Sequence, residues 1–327
     1  MMLAFRPDTA FEPINRAFAT VFRSGRLSLG LVVPIEAYPD SPVPDMSRHL
    51  ARAQLAENLG FSAIWLRDVP FNVPSFGDAG QVFDPFVYLG YLAARTDRIA
   101  LGVASIILPL RHPAHVAKAA ASADALSGGR LILGVASGDR PQEYPALGVD
   151  YQTRGVRFRE SFDYIRQMAQ DYPDVSGPLG SVRGMDLLPK PPGSRLPMLV
   201  TGGSQQDPGW TARHADGWMT YPQDAAAQTR VVEAWRRRVG PDEPPKPVMQ
   251  PLYIDLLSDD DAPPQPLHLG FRSGINALRN YLSALEKAGI NHVALNLRFN
   301  RTDVEETLAR IARDLLPDFP AEFEAKT

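Results

Sequence analysis

Short apolar runs alternate with longer segments whose apolar positions recur at helical spacing, and the alternation continues from residue 28 to the end of the chain. The run 27–33 (LSLGLVV) closes at Pro34. Residues 47–59 then place Leu55 and Leu59 one turn apart before Gly60, a residue suited to the left-handed cap of a helix. The pattern predicts the next strand–helix pairs at 63–66 with 84–95, at 99–108 with the alanine-rich 114–126, and at 131–136 with 158–168. Four more follow, at 198–201 with 210–214, 217–221 with 225–239, 248–257 with 275–288, and 292–297 with 304–315. Residues 258–274 read as a long polar loop containing prolines.

Strands that are apolar without strict alternation suit parallel strands covered on both faces, and eight βα units in a chain of 327 residues fit a closed (β/α)8 barrel. A doubly wound open sheet is the competing architecture. It usually carries a glycine-rich turn after its first strand, whereas here Val33 is followed by PIEAYPD. The expected fold is therefore a single α/β TIM barrel over residues 27–327, preceded by an N-terminal extension, residues 1–26. The proline-rich stretches 241–247 and 259–266 are too short to separate two cores.

Composition removes several functions. The chain has no cysteine, so disulfides, thiolate catalysis and iron–sulfur chemistry are excluded, and any redox activity needs a borrowed cofactor. A net charge of −3 with dispersed arginines and lysines gives no polyanion-binding face, so nucleic acid is not an expected partner. The start MMLAF turns polar at Arg6 and Asp8, and no run reaches the roughly 20 apolar residues of a membrane span. A cytoplasmic protein without membrane contact is expected. No lysine falls inside a predicted strand, against a Schiff-base aldolase, and the six histidines are scattered, so no metal site is expected. Asp68 and Asp139, near strand ends, leave a glycosidase as the non-redox alternative.

A compound motif then narrows the field. It begins with 102–113 (GVASIILPLRHP), runs through 127–138 (SGGRLILGVASG) and 143–150 (EYPALGVD), and includes Arg154 in TRGVRFRE. It continues through 200–210 (VTGGSQQDPGW) and ADGWMTY. Over most of residues 27–316 the sequence resembles the luciferase-like monooxygenase family. The resemblance implies a barrel of the bacterial luciferase type whose C-terminal mouth binds FMN, with the deazaflavin F420 as the alternative cofactor. It implies a non-proline cis peptide between Ala104 and Ser105 beneath the flavin ring, and ring and phosphate contacts from Ala136, Ser137 and Gly138. Gly202, Gly203, Ser204 and Arg154 are implied as the phosphate site, which agrees with what free amides, a hydroxyl and a guanidinium can do for an anion. Some relatives have an arginine where Ser137 stands, leaving Arg140 as another source of positive charge.

The histidine that luciferase carries after its second strand is absent; the segment reads Trp65, Leu66, Arg67, Asp68, Val69, Pro70. Arg67 and Asp68 are the ionisable groups left near the expected reaction centre, either as catalytic groups or as a structural ion pair. His112, just before Pro113, is a candidate helix cap or pocket-wall residue and a further candidate base. Trp65, Phe71, Phe76, Tyr88 and Tyr144 are candidate wall residues, and the loop 69–83 is a candidate cover. The implied activity is oxidation of a small organic substrate by reduced FMN and dioxygen, with a separate flavin reductase as partner and a homo-oligomer as the assembly. Hydride transfer with F420 and a non-catalytic flavin-binding protein are the alternatives.

Overall fold

Parallel pairing runs in chain order around the molecule, which is a computed structural model describing residues 10–323. The strands are β1 (Ser28–Val32), β2 (Ala63–Leu66), β3 (Ala100–Ile107) and β4 (Leu131–Ala136). They continue as β5 (Met198–Thr201), β6 (Gly217–Met219), β7 (Val248–Leu256) and β8 (His292–Asn296). Each pairs with the next, and β8 pairs back onto β1 through Ser28↔His292 to Leu31↔Leu295, closing an eight-stranded parallel barrel. Among the described residues no helix is long and apolar enough to cross a membrane.

The helices begin and end where local chemistry dictates. Asp84, Asp207, Asp224 and Asp303 each accept backbone N–H groups at the starts of the helices Pro85–Ala93, Pro208–His214, Ala225–Val239 and Val304–Asp314. Pro85, Pro113 and Pro208 occupy first-turn positions, where the missing N–H costs nothing. Gly60 ends the helix His49–Leu59 at φ 95°, as expected of a left-handed cap. Two segments read as connections contain short antiparallel hairpins. One is Val175–Gly177 with Gly180–Val182; the other is Gln265–Leu267 with Gly270–Ser273, whose second strand extends the sheet beside the outer half of β7. Their polar, proline- and glycine-rich sequences hide them, because a two-stranded ribbon on the surface needs no apolar periodicity.

The core has two parts. Strands and helices bury the larger one between them, while a second cluster fills the barrel interior and includes Trp65, Ile132, Leu199, Met219 and Met249. The helix α1 (Arg16–Val21) closes the N-terminal end of the barrel, with Phe18 and Phe22 packed into that inner cluster. Asn15 fixes it there, donating to Leu131 O at 2.8 Å and to Asp124 Oδ1 at 3.0 Å. The described part of the N-terminal extension is thus the barrel's floor plug; residues 1–9 lie outside the described residues.

Two buried titratable groups sit at this closed end. Ser28 Oγ donates to Val21 O at 2.7 Å, so the His292 Nδ1–H donates to Ser28 Oγ at 2.8 Å, and Trp65 Nε1 donates to His292 Nε2 at 2.8 Å. Burial pushes His292 down to about 3, leaving it neutral. Burial pushes Asp124 up to about 6 despite its bonds from Asn15 and Leu131 N, and its second oxygen has no partner among the described residues. The two act in opposite senses. His292, depressed on folding, supports the fold above its unfolded value of 6.5 and loses that support as pH falls towards about 3. Asp124, raised on folding, supports the fold below 3.8 and loses that support as pH rises through about 6. Asp124→Asn is therefore expected to match the parent near pH 4 and to be more stable above pH 6. The gain grows by about 1.4 kcal/mol per pH unit in between. Urea unfolding of both proteins across that range checks it; a difference independent of pH would contradict the assignment.

Candidate active site

With the N-terminal end plugged, the open C-terminal ends of the strands enclose a cavity of about 890 Å³, large enough for an organic cofactor with a substrate. Small and apolar side chains from the strands, including Val32, Ala104, Ala136, Met249 and Ala294, form its base. The Ala104–Ser105 peptide is cis and non-proline. It lies where the pairing of β3 with β4 shifts register between Val103 and Ile106, so the chain reshapes the base of the cavity at this point. The Ser105 hydroxyl is hydrogen-bonded to the Thr201 hydroxyl, which ties the end of β3 to the end of β5.

The loop after β5 is built for an anion. Gly202, Ser204 and Gln205 all have positive φ (54°, 43° and 58°), which turns successive peptide groups into a concave row. Among the described residues, the amides of Gly203, Ser204 and Gln205 donate to no protein acceptor. All three residues line the cavity, and a side chain at Gly203 would meet nothing within 4 Å, so the loop is open to a ligand there. Its unusual backbone is held from behind. Ser204 Oγ donates to Thr201 O at 2.7 Å, and Gln206 Nε2 donates to Ser204 O at 3.1 Å and to Gly155 O at 2.7 Å.

That last bond couples the loop to the start of α2 (Arg154–Gln167). Arg154 is not on the cavity wall. Its guanidinium lies 3.7 Å over the Tyr151 ring, Nη1 donates to Tyr151 O at 2.9 Å, and its buried Nε has no partner among the described residues. Tyr151 packs edge-on against Tyr144 at 4.9 Å, and the Tyr144 hydroxyl donates to Ser137 O. Arg154 thus joins the end of β4 through two tyrosines and adjoins the anion loop through Gly155.

The expected site residues separate cleanly. Ala104, Ser105, Ala136, Ser137, Gly138, Gly202, Gly203, Ser204, Arg67 and Asp68 all line the one cavity. His112 does not; it is exposed, caps the helix Pro113–Leu126 by accepting from Ala114 N at 3.3 Å, and packs near His115 and Tyr164. Arg67 and Asp68 point to different partners instead of to each other. Asp68 accepts Arg111 Nε and Nη2 at 2.9 and 2.7 Å and Ile107 N at 3.1 Å, while Arg67 Nη1 donates to Asp78 Oδ2 at 2.7 Å. Of the expected aromatic wall only Phe76 lies on the cavity; Trp65 is inside the barrel on His292.

Residues the sequence did not single out complete the mouth: Asp78 from the 69–83 loop, Tyr221 after β6, Tyr253 on β7, His268 from the second hairpin, and Arg298 after β8. Asp78 draws in Arg67, Arg298, Tyr38 and Gly80 N, and these partners hold its carboxyl below the usual carboxylate range against the opposing effect of burial. The loop is tethered there: Arg298 Nη2 also donates to Gly77 O at 2.6 Å, and Ala79 N to Pro42 O at 2.8 Å. Its only sequence signal was length and glycine content, because these partners, apart from Gly80 of the loop itself and the neighbouring Arg67, come from the segments after β1 and β8.

Comparison with known proteins bears on the fold and the family. The family model described as luciferase-like monooxygenase matches residues 26–303. An uncharacterised protein of Mycobacterium tuberculosis is 34% identical over 191 residues, covering 53% of this chain and 67% of that protein. An F420-dependent glucose-6-phosphate dehydrogenase of Beutenbergia cavernae is 31% identical over 175 residues, covering 52% of this chain and 51% of the dehydrogenase. Among solved structures, the monooxygenase RslO1 from Streptomyces bottropensis superposes with a TM-score of 0.74 at 18% identity, covering 89% of this chain and 99% of that one. The oxygenating constituent of 3,6-diketocamphane monooxygenase from Pseudomonas putida, in complex with FMN, gives 0.71 at 14% identity, covering 91% and 100%. At these identities the superpositions speak for the fold alone. The matched family model spans most of the barrel and the whole cavity-forming sequence, and the chain belongs to the luciferase-like monooxygenase family.

Proposed function

We propose that the protein is a flavin-dependent monooxygenase that oxidises a small organic substrate with reduced FMN and dioxygen, supplied with reduced flavin by a separate reductase. The observation that carries this reading is the union, in one cavity, of a row of unpartnered amides and a base of small apolar side chains beside it. A single phosphate suits the amides of Gly203, Ser204 and Gln205, with Arg154 behind them and its Nε unpartnered. A flat ring suits the base, where Ala104, Ser105 and Ala136 leave room for it. When bound, reduced FMN supplies the electrons for oxygen chemistry. The chain's own part is to fix the phosphate, orient the ring against the strand ends and keep water from the apolar base. Asp68 holds Arg111 and the Ile107 amide, and its carboxylate is fully engaged as an acceptor, so its role is to position the β2 and β3 ends.

A second reading, hydride transfer with F420, draws support from the likeness to the F420-dependent dehydrogenase. Titration of the purified protein with FMN, riboflavin and F420, followed by calorimetry, separates the two. FMN is expected to bind more tightly than riboflavin, and Arg154→Ala, which removes a positive charge behind the anion loop without removing a direct contact, is expected to weaken FMN about threefold or more, with riboflavin unchanged. Equal losses for both ligands would remove Arg154 from the phosphate site, and a preference for F420 would move the function to hydride transfer.

A further inference from the structure

Away from the anion loop, the mouth carries a second concentration of positive charge that the cofactor reading leaves unused. Arg67, Arg140 and Arg298 line the cavity and converge on one residue, Asp78. Its Oδ2 accepts Arg67 Nη1 at 2.7 Å and forms an ion pair with Arg298 Nη1 at 3.0 Å; its Oδ1 accepts Tyr38 OH at 3.1 Å and Gly80 N at 2.9 Å. The carboxylate is saturated. Arg140 reaches only the backbone of Asp78, donating Nη2 to its carbonyl at 3.0 Å. Its Nη1 and the Nε of Arg298 are buried without a partner among the described residues. A buried guanidinium N–H without an acceptor is costly, so these donors are placed for an acceptor that the protein does not supply.

Among the described residues, none of the other acids nearby accepts a hydrogen bond from these three guanidiniums. Asp68 is taken by Arg111, Asp139 is exposed at the rim, and Glu143, whose carboxyl burial pushes upward, keeps Oε1 unpartnered. Among the described residues, Asp78 is the one carboxylate ion-paired with any of the three guanidiniums. Flat apolar surface lies beside them: the Arg140 guanidinium is 3.9 Å over the Phe76 ring, and Tyr253 packs near Phe299 at 5.4 Å.

We propose that Arg140, with Arg67 and Arg298, forms a second anion subsite in the cavity that binds the carboxylate of an organic-acid substrate, whose apolar part lies against Phe76, Tyr253 and Phe299. A guanidinium fork matches a carboxylate in shape and charge, and the rings cover the rest of such a molecule. The proposal rests on the oxidoreductase reading of the same cavity, and its test is arranged to fail separately from that reading.

Phenylacetate and its neutral isostere phenylacetamide are titrated into the protein, with and without FMN, and followed by ligand-observed NMR. The acid is expected to bind at least about tenfold more tightly than the amide. Arg140→Gln is expected to abolish that preference and leave FMN affinity unchanged, and Arg140→Lys to retain part of it. Equal binding of acid and amide, or binding of neither, would overturn the subsite, and this comparison needs only the parent protein. A parallel loss of FMN affinity in Arg140→Gln would also overturn it, by assigning the cluster to the cofactor phosphate. A preference for the acid in a protein that binds no FMN would uphold the subsite while removing the flavin reading.

Discussion

Gly102→Ala is expected to cost about 3 kcal/mol or more, at the upper end of what overpacking a dense core brings. Gly102 on β3 is the register partner of Trp65 on β2, and an added Cβ would stand 2.2 Å from the indole Cε3 and 2.5 Å from Cζ3. The indole cannot yield. It is buried inside the barrel and its Nε1 is bonded to His292 Nε2, which is itself fixed by Ser28. Trp65→Leu alone leaves a void and costs about 3–5 kcal/mol by the same logic in reverse. In the double variant the new methyl enters the space the indole vacated, so the combined loss should fall short of the sum by more than 1 kcal/mol or so. Urea denaturation of the four proteins gives the coupling; additive losses would mean that Gly102 is required for some reason other than the indole.

The second large effect belongs to Asp68. Removing one partner of a buried ion pair costs about 3–5 kcal/mol, because the other charge is left without compensation. In Asp68→Ala, Arg111 keeps only Asp84 at 2.8 Å, and the Ile107 amide loses its acceptor. The loss spreads further, since Asp84 also caps the helix Pro85–Ala93 and Arg111 lies 5.7 Å over Phe86 of that helix. Asp68→Ala with Arg111→Met removes both charges and should recover part of the stability, together with the parent's affinity for FMN. Thermal melts read the first quantity and calorimetry the second. If Asp68→Ala melts with the parent, the ion pair does not hold the strand ends. If the stable double variant still fails to bind FMN, Asp68 acts on the ligand directly.

Much of the architecture was legible because it rests on local rules. Apolar runs ending at proline or glycine, and helices opened by aspartate or proline, located the strand–helix units within a few residues of where they stand. The hairpins were not legible: one is a free-standing surface ribbon, and the other is held by the edge of β7, neither of which needs apolar periodicity. Nor was the role of residues 14–22, whose buried face becomes visible only against the barrel's open end. At the site, the glycines and serines of the strand ends were found through the compound motif, and they share one cavity. Of the alternatives open to His112, the structure has the helix cap before Pro113, and Arg67 and Asp68, adjacent as they leave a strand, form ion pairs with different neighbours.

What the sequence determined by itself was the repeating unit, the number of strands and the residue types at the strand ends, all of which follow from periodicity and backbone chemistry within a few turns. What the tertiary structure decided was which charges meet. Asp78, Arg140 and Arg298 come from loops after three different strands and converge only because the barrel closes, bringing β8 beside β1. The same closure makes Gly102 indispensable, because a large side chain on one strand fills the space left by a small one on the next. Contacts between residues far apart in the chain depend on closure and register, and no local pattern encodes them.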